Sequence, residues 1–99
     1  MAQPLLVDPR SLRLPPSRFS GADPVKLARQ LSRFGNSMAG MPDLEVTRGA
    51  NGLLMLNDGV TRATRVAKFL PGVQVRVTVI ETRPNRDLSA YPTVGDRLP

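Results

Sequence analysis

The spacing of hydrophobic residues changes abruptly in the middle of this chain. The four apolar residues Leu53–Leu56 suit a short buried strand, which Asn57–Gly59 then interrupts. Beyond Gly59 the apolar residues fall within an arc of about 120° on a helix that turns about 100° per residue. These residues are Val60, Ala63, Val66, Ala67 and Leu70. The polar residues predicted to face away from the core are Thr61, Thr64, Arg65 and Lys68. The pattern predicts a strand, a glycine turn and a helix in direct succession.

A second helix is predicted upstream. Asp23 followed by Pro24 is typical of a helix start, because the carboxylate caps free amides and proline suits the first helical position. The helix is predicted to end at Phe34, since Gly35 is a common stop signal. The residues predicted to face the core are Leu27, Ala28, Leu31 and Phe34. The opposite, polar face consists of Lys26, Arg29, Gln30 and Arg33.

Three further segments have strand patterns. Residues 5–7 predict a short edge strand, and residues 73–79 alternate between valine and mostly polar residues. Residues 43–47 predict a strand that a hairpin turn at residues 48–52 joins to Leu53–Leu56, because Asn-Gly is a strong turn signal. Together with the two helices, these strands predict an α+β fold with a small mixed β-sheet.

The remaining segments are predicted to be irregular. Residues 8–22 form a loop whose arginines either fold over a ligand or are solvated, and residues 35–42 form a flexible loop. From Thr82 onward the apolar period is lost, so residues 1–81 are predicted to form the domain and residues 82–99 a Pro-rich C-terminal tail or arm. The arginines of the first loop are Arg10, Arg13 and Arg18.

Composition narrows the possible chemistry. Twelve arginines and two lysines give a net charge of +6, and the arginine excess indicates either an anionic partner or a GC-rich genome. The absence of Cys and His excludes disulfides, thiolate catalysis and a Ser–His–Asp triad. No apolar run has the length of a membrane span, and the N-terminus has no signal-peptide pattern, so a cytoplasmic location is expected.

The glycine turn at residues 57–59, together with the helix predicted after it, offers groups that can bind a ligand. Backbone amides in the first helical turn lack internal partners, so phosphate is a natural ligand there. Gly59 allows a close approach, Thr61 offers a hydroxyl and Arg62 a guanidinium. In the alternative interpretation, Asn57 or Asp58 only caps the helix and the arginines lie in water. The Asp58 carboxylate repels an anion unless it turns away or holds a metal ion. In an enzyme, Asp58 is also the candidate base.

The run from Leu56 to Ala67 resembles the signature of the ParB/sulfiredoxin superfamily, in which a short strand leads to a Gly-x-x-Arg turn and a phosphate-receiving helix. Weaker motifs occur in the order that this family shows, so the resemblance covers about residues 5–81. These motifs are Val7–Pro9, Pro15–Phe19, Leu27–Gly35, Pro42 with Leu44–Val46, and Val73–Val79. The resemblance implies a phosphate site at the turn, with the loop at residues 35–42 close to it.

The chain departs from both branches of this family. Sulfiredoxins have Cys-His after the glycine, where this chain has Val60 and Thr61, so sulfiredoxin chemistry is excluded. Partition ParB proteins have Glu-Arg-Arg there, and only Arg62 is retained. Their DNA-reading helix–turn–helix lies beyond this domain, and the chain leaves no room for it.

The sequence therefore predicts a phosphate-centred binding module for a nucleotide or a nucleic-acid backbone. One alternative is a ParB-like nuclease or nucleotide-dependent phosphotransferase, with Asp58 as the catalytic residue and Mg²⁺ brought with the nucleotide. Another is a non-catalytic interaction domain that has lost the ligand. A protein partner is possible in each case, and no dedicated metal site is predicted. The predicted ligand-binding residues at the turn and helix are Asn57, Gly59, Thr61, Arg62 and Arg65. Two more, Asn36 and Ser37, come from the loop at residues 35–42.

Overall fold

Four β-strands and two α-helices make up the regular structure of residues 4–99, the part of the chain that the computed structural model describes. The first three residues of the predicted domain lie outside this range. The elements are β1 Pro4–Val7, α1 Pro24–Phe34, β2 Leu44–Arg48, β3 Leu54–Leu56, α2 Val60–Phe69 and β4 Val75–Thr82. The predicted α+β class is confirmed. No helix in the described range is long and apolar enough to cross a membrane.

The strands form one mixed sheet in the order β1-β4-β2-β3. The central strands β2 and β4 run parallel, whereas β1 pairs with β4 and β3 pairs with β2 in antiparallel fashion. Since a parallel pair needs a crossover connection, the chain leaves β2 through β3 and passes along α2 before it enters β4. The glycine turn between β3 and α2 is therefore fixed at both ends by packed elements.

The core lies between the sheet and α2. Val75 and Val77 of β4 are fully buried, as are Leu44 and Val46 of β2. The α2 residues in this core are Val60, Ala63, Val66 and Ala67. The predicted apolar face of α2 is thus confirmed for these four residues. Strand β4 begins at Val75 rather than at the predicted residue 73, and Val73 is 37% exposed.

Helix α1 begins and ends where the sequence predicts. Asp23 Oδ1 accepts hydrogen bonds from the amides of Val25 and Lys26 at 2.8 and 3.4 Å, and these bonds lower the pKa of Asp23 below its ordinary value. At the other end, Gly35 N donates to Leu31 O at 2.9 Å.

The predicted core face of α1 was too wide. Leu27 is buried, but Ala28 is exposed and Phe34 is 40% exposed. The reason is that α1 packs mainly against α2 and not on the sheet, so only a narrow stripe of the helix is covered.

The β2–β3 hairpin turn uses the predicted Asn-Gly pair. Asn51 and Gly52 have φ values of 60° and 74°, in the left-handed region that such turns require. The turn thus places β3 directly beside β2, with Val46 opposite Leu56.

Residues 8–22 are more ordered than the predicted loop. Leu12 and Leu14 are fully buried, and Arg13 lies beside β3. Arg13 N donates to Leu54 O at 2.8 Å, and Leu56 N donates to Arg13 O at 2.9 Å. This segment therefore covers the β3 edge of the sheet.

The predicted C-terminal tail or arm packs against that same segment. Leu14 N donates to Pro92 O at 2.8 Å, and Val94 N donates to Leu12 O at 2.9 Å. Leu88 and Val94 are buried. In the structure, residues 82–99 thus contribute to the packed interior.

Candidate functional site

Gly59 forms the corner between β3 and α2. It is the N-cap of α2 and has φ 90° and ψ 23°, a left-handed conformation that glycine adopts without strain. A Cβ at this position would collide with Leu44 Cδ2 and lie 3.1 Å from Arg62 NH2. Both the backbone conformation and the close packing therefore favour glycine here.

The N-terminus of α2 has no side-chain cap among the described residues. The helical hydrogen bonds begin with Ala63 N, which donates to Gly59 O at 2.9 Å. The amides of Val60, Thr61 and Arg62 precede this bond, so they belong to the group of helix-start donors that an anion can use. The interpretation that Asn57 or Asp58 caps the helix is wrong.

Asp58 instead binds the turn itself. Its Oδ1 accepts from Gly59 N at 2.8 Å, and its Oδ2 lies 3.3 Å from Arg62 NH2. The Asp58 side chain is 69% exposed and that of Arg62 20% exposed. One carboxylate thus contacts two of the donors predicted to bind phosphate.

Hydrogen bonds to β2 fix the position of Asn57. Its Nδ2 donates to Thr47 Oγ1 at 2.8 Å, and its backbone N donates to Glu45 O at 2.8 Å. Asn57 therefore has a clear structural contact: it fixes the turn to the sheet.

A cleft of about 380 Å³ opens over this turn. Its wall combines the turn and α2 with the segment 15–18 and one side of α1. The residues that line it are Pro15, Ser17, Arg18, Lys26, Gln30, Asn57, Asp58, Gly59, Val60, Thr61 and Arg62. Three cations, from Arg18, Lys26 and Arg62, thus share a wall with the single carboxylate of Asp58.

Sequence reasoning missed part of this wall. Arg18 was predicted only as one of three loop arginines that either cover a ligand or are solvated. Lys26 and Gln30 were predicted to lie on a polar helix face, with no indication of what that face meets. The packing of α1 beside α2 brings them to the turn, and no local signal encodes that packing.

A larger depression of about 620 Å³ lies elsewhere, at residues 82–86. A single turn lines it, whereas three separate segments converge on the cleft over Gly59. Ligand sites in proteins are typically formed by convergent polar groups, so the smaller cleft is the better candidate.

Arg65 does not face solvent, and that prediction was wrong. It is 2% exposed, its NH1 donates to Gly35 O at 3.0 Å and Ser37 O at 2.9 Å, and its guanidinium lies 5.4 Å from the Phe34 ring centroid. Burial lowers its pKa. Thr64, also predicted to face solvent, is buried and donates to Val60 O at 2.8 Å. The loop after α1 covers this face of α2.

The remaining predicted ligand residues, Asn36 and Ser37, lie outside the cleft. Both are exposed, and Ser37 Oγ accepts a hydrogen bond from Ala39 N at 3.1 Å. The structure therefore brings Asn57, Gly59, Thr61 and Arg62 together. Arg65 instead contacts the carbonyls of Gly35 and Ser37, and Asn36 is exposed outside the cleft.

Asp58 is the residue at which a divalent ion would bind in this cleft. Among residues 4–99, no three Asp, Glu, His or Cys side chains form a group that could hold a metal ion. Magnesium often binds through one or two carboxylates together with substrate phosphates, so the single carboxylate of Asp58 is compatible with an ion that a phosphate ligand would bring.

Comparisons of this chain with protein-family models, curated proteins and solved structures gave no match.

Proposed function

We propose that the protein is a phosphate-centred binding module for a nucleotide or a nucleic acid, and that the cleft over Gly59 is its site. The observation that supports this best is the convergence of uncapped helix amides and three cationic side chains on one cleft. Helix N-termini attract anions through their free amides and the positive end of the helix dipole. Added cations strengthen that attraction.

Each group has a separate role in this proposal. The amides of Val60 and Thr61 donate to phosphate oxygens, and the Thr61 hydroxyl adds a donor. The Arg62 guanidinium can form two parallel hydrogen bonds to a phosphate. Arg18 and Lys26, which also line the cleft, raise its local positive potential. A volume of about 380 Å³ lies within the usual range of small-ligand sites.

The resemblance to the ParB/sulfiredoxin superfamily supports the same location, because its Gly-x-x-Arg turn falls on Gly59 and Arg62. The substitution of Val60 and Thr61 for the Glu-Arg of partition proteins gives no reason to include nucleotide hydrolysis in this proposal.

The enzymatic alternative is a nuclease or a phosphotransferase. In that case Asp58, exposed at the cleft, holds Mg²⁺ together with the ligand's phosphates or acts as a base. Its expected signature is magnesium-dependent turnover that Asp58→Asn abolishes.

A thermal-shift titration with pyrophosphate and nucleoside triphosphates, with and without Mg²⁺, tests the proposed function. A ligand at ten times its Kd stabilises the folded state by about 1.4 kcal/mol. For a domain of this size, we expect a rise of about 6–11 °C in Tm. No shift with any of these ligands would contradict phosphate binding and favour a non-catalytic interaction domain.

A further inference from the structure

The cationic side chains of this protein fall into two groups according to what they contact. Some donate hydrogen bonds or form ion pairs within residues 4–99, namely Arg10, Arg13, Arg62, Arg65, Arg76, Arg83, Arg86 and Arg97. The others form neither kind of contact in the same range, and they are Arg18, Lys26, Arg29, Arg33, Arg48 and Lys68. Most of this second group lies within residues 18–33, which border the cleft over Gly59. Cations without an internal partner are therefore concentrated beside the proposed phosphate site.

One side of α1 continues the wall of the cleft. Lys26, Gln30 and Arg33 lie within an arc of about 60° on a helix that turns about 100° per residue, and we call this row the α1 stripe. Lys26 and Gln30 line the cleft, whereas Arg33 lies outside it, about 10 Å further along the helix axis than Lys26. Arg29 lies about 60° from Lys26 in the direction away from Gln30 and the cleft. The α1 stripe thus leads from the cleft to Arg33.

Positive charge predominates along this path. No residue of α1 carries a carboxylate. The acidic groups close to the path are Asp58 at the turn and the N-cap Asp23, whose carboxylate accepts from the amides of Val25 and Lys26. Against them stand the cations Arg18, Lys26, Arg33 and Arg62. A polyanion that extends from the turn to the end of α1 therefore meets a net positive surface.

We propose that the cleft over Gly59 and the α1 stripe together bind the sugar–phosphate backbone of a nucleic acid, with one phosphate at the turn and the next ones along α1. This inference rests on the proposed function and narrows its ligand class from a nucleotide or a nucleic acid to a nucleic acid. A nucleic-acid strand carries a charge on every residue, so it supplies a phosphate for Arg33 as well as for the turn. Pyrophosphate held at the turn has no such group to offer.

The number of phosphate contacts can be measured through salt. Cations that neutralise phosphates release counterions, so log K for a single strand falls with log[salt] by about 0.7 for each contact. This slope does not depend on how many positions a long strand offers for binding. It therefore separates a longer contact surface from a simple gain in the number of sites.

The test compares Arg33→Gln with Lys68→Gln. Both residues are exposed, and each variant removes one positive charge. Lys68 lies near the C-terminal end of α2, whereas the cleft lies at its N-terminal end, so Lys68→Gln is the matched control. The probes are a single-stranded thymidine oligonucleotide of twelve residues, a thymidine dinucleotide, a glutamate peptide of twelve residues, and pyrophosphate. Fluorescence anisotropy over a series of salt concentrations gives the slopes for the labelled strands and the peptide, and calorimetry gives the affinity for pyrophosphate.

We expect the wild-type protein to bind the long oligonucleotide with a slope of about −2, and the dinucleotide with a slope of about −0.7. Arg33→Gln should make the slope for the long oligonucleotide shallower by about 0.7, which weakens its binding about fivefold at about 0.1 M salt. The same variant should change the affinity for pyrophosphate by less than about twofold, because Arg33 lies outside the cleft. Lys68→Gln should change each affinity by less than about twofold.

Three outcomes would overturn the inference while wild-type binding of pyrophosphate, and with it the proposed function, stands. One is an equal slope for the long oligonucleotide and the dinucleotide. Another is an equal loss of oligonucleotide affinity in Arg33→Gln and Lys68→Gln, as net charge alone predicts. The third is a glutamate peptide that binds as tightly as the long oligonucleotide, which would make the α1 stripe a site for acidic proteins. A wild-type protein that does not bind pyrophosphate would remove the proposed function and this inference together.

Discussion

Replacing Arg62 by alanine should weaken binding of pyrophosphate by about 10- to 100-fold. A hydrogen bond to a charged group contributes about 1.5–3 kcal/mol, and each 1.4 kcal/mol is a tenfold change in Kd. Arg62 is the one cation that lies on the same helical turn as the uncapped amides of α2. Calorimetric titration of the variant measures the loss directly.

The same change should leave the free energy of unfolding nearly unaltered. The Arg62–Asp58 contact is an exposed ion pair between residues four apart, and such pairs contribute about 0.3–0.5 kcal/mol. Alanine also has a higher helix propensity than arginine. Arg29→Ala, on the exposed side of α1, is the matched control for the loss of one positive charge. Equal losses of affinity in the two variants would contradict a specific role for Arg62.

Replacing Gly59 by alanine should lower the free energy of unfolding by about 2–5 kcal/mol. Left-handed backbone costs a residue with a Cβ about 1–2 kcal/mol, and inserting a group into packed space costs about 1–3 kcal/mol. Gly59 has φ 90°, and its new Cβ would collide with the fully buried Leu44. Urea denaturation measures the change.

Gly72→Ala separates the two contributions. Gly72 has φ 85°, but a Cβ there would have no atom within 4 Å. This variant should therefore lose only the backbone part, about 1–2 kcal/mol. If the two alanine variants are equally destabilised, the contact between Gly59 and Leu44 contributes nothing.

The parts of the fold that sequence predicted well are those that local chemistry determines. Asp23 caps the start of α1 and Gly35 ends it, and each forms its capping hydrogen bond with a residue no more than four positions away in the sequence. The Asn51-Gly52 turn likewise depends on two adjacent residues that adopt positive φ. Such signals need no knowledge of the rest of the chain.

The parts that sequence missed depend on contacts between distant segments. Arg13 pairs with β3, about 40 residues further along the chain, and no periodic pattern marks it. Arg65 was assigned to solvent because helix periodicity separates apolar from polar residues. Helix periodicity alone could not show that the carbonyls of Gly35 and Ser37 lie over the side of α2 that carries Arg65.

The candidate site divides in the same way. Gly59, Thr61 and Arg62 belong to one continuous motif, so its spacing placed them together. Arg18 and Lys26 join them only because α1 and the segment before it pack beside the turn.

The most direct test of the central claim is an amide NMR titration of the ¹⁵N-labelled chain with pyrophosphate. We expect the resonances of Gly59, Val60, Thr61 and Arg62 to shift together and to saturate with one Kd, because their amides lie at the proposed phosphate site. The resonances of Asn36 and Ser37 should move little. Saturating shifts confined to the turn at residues 82–86, or no saturating shifts at all, would contradict a phosphate site at the N-terminus of α2.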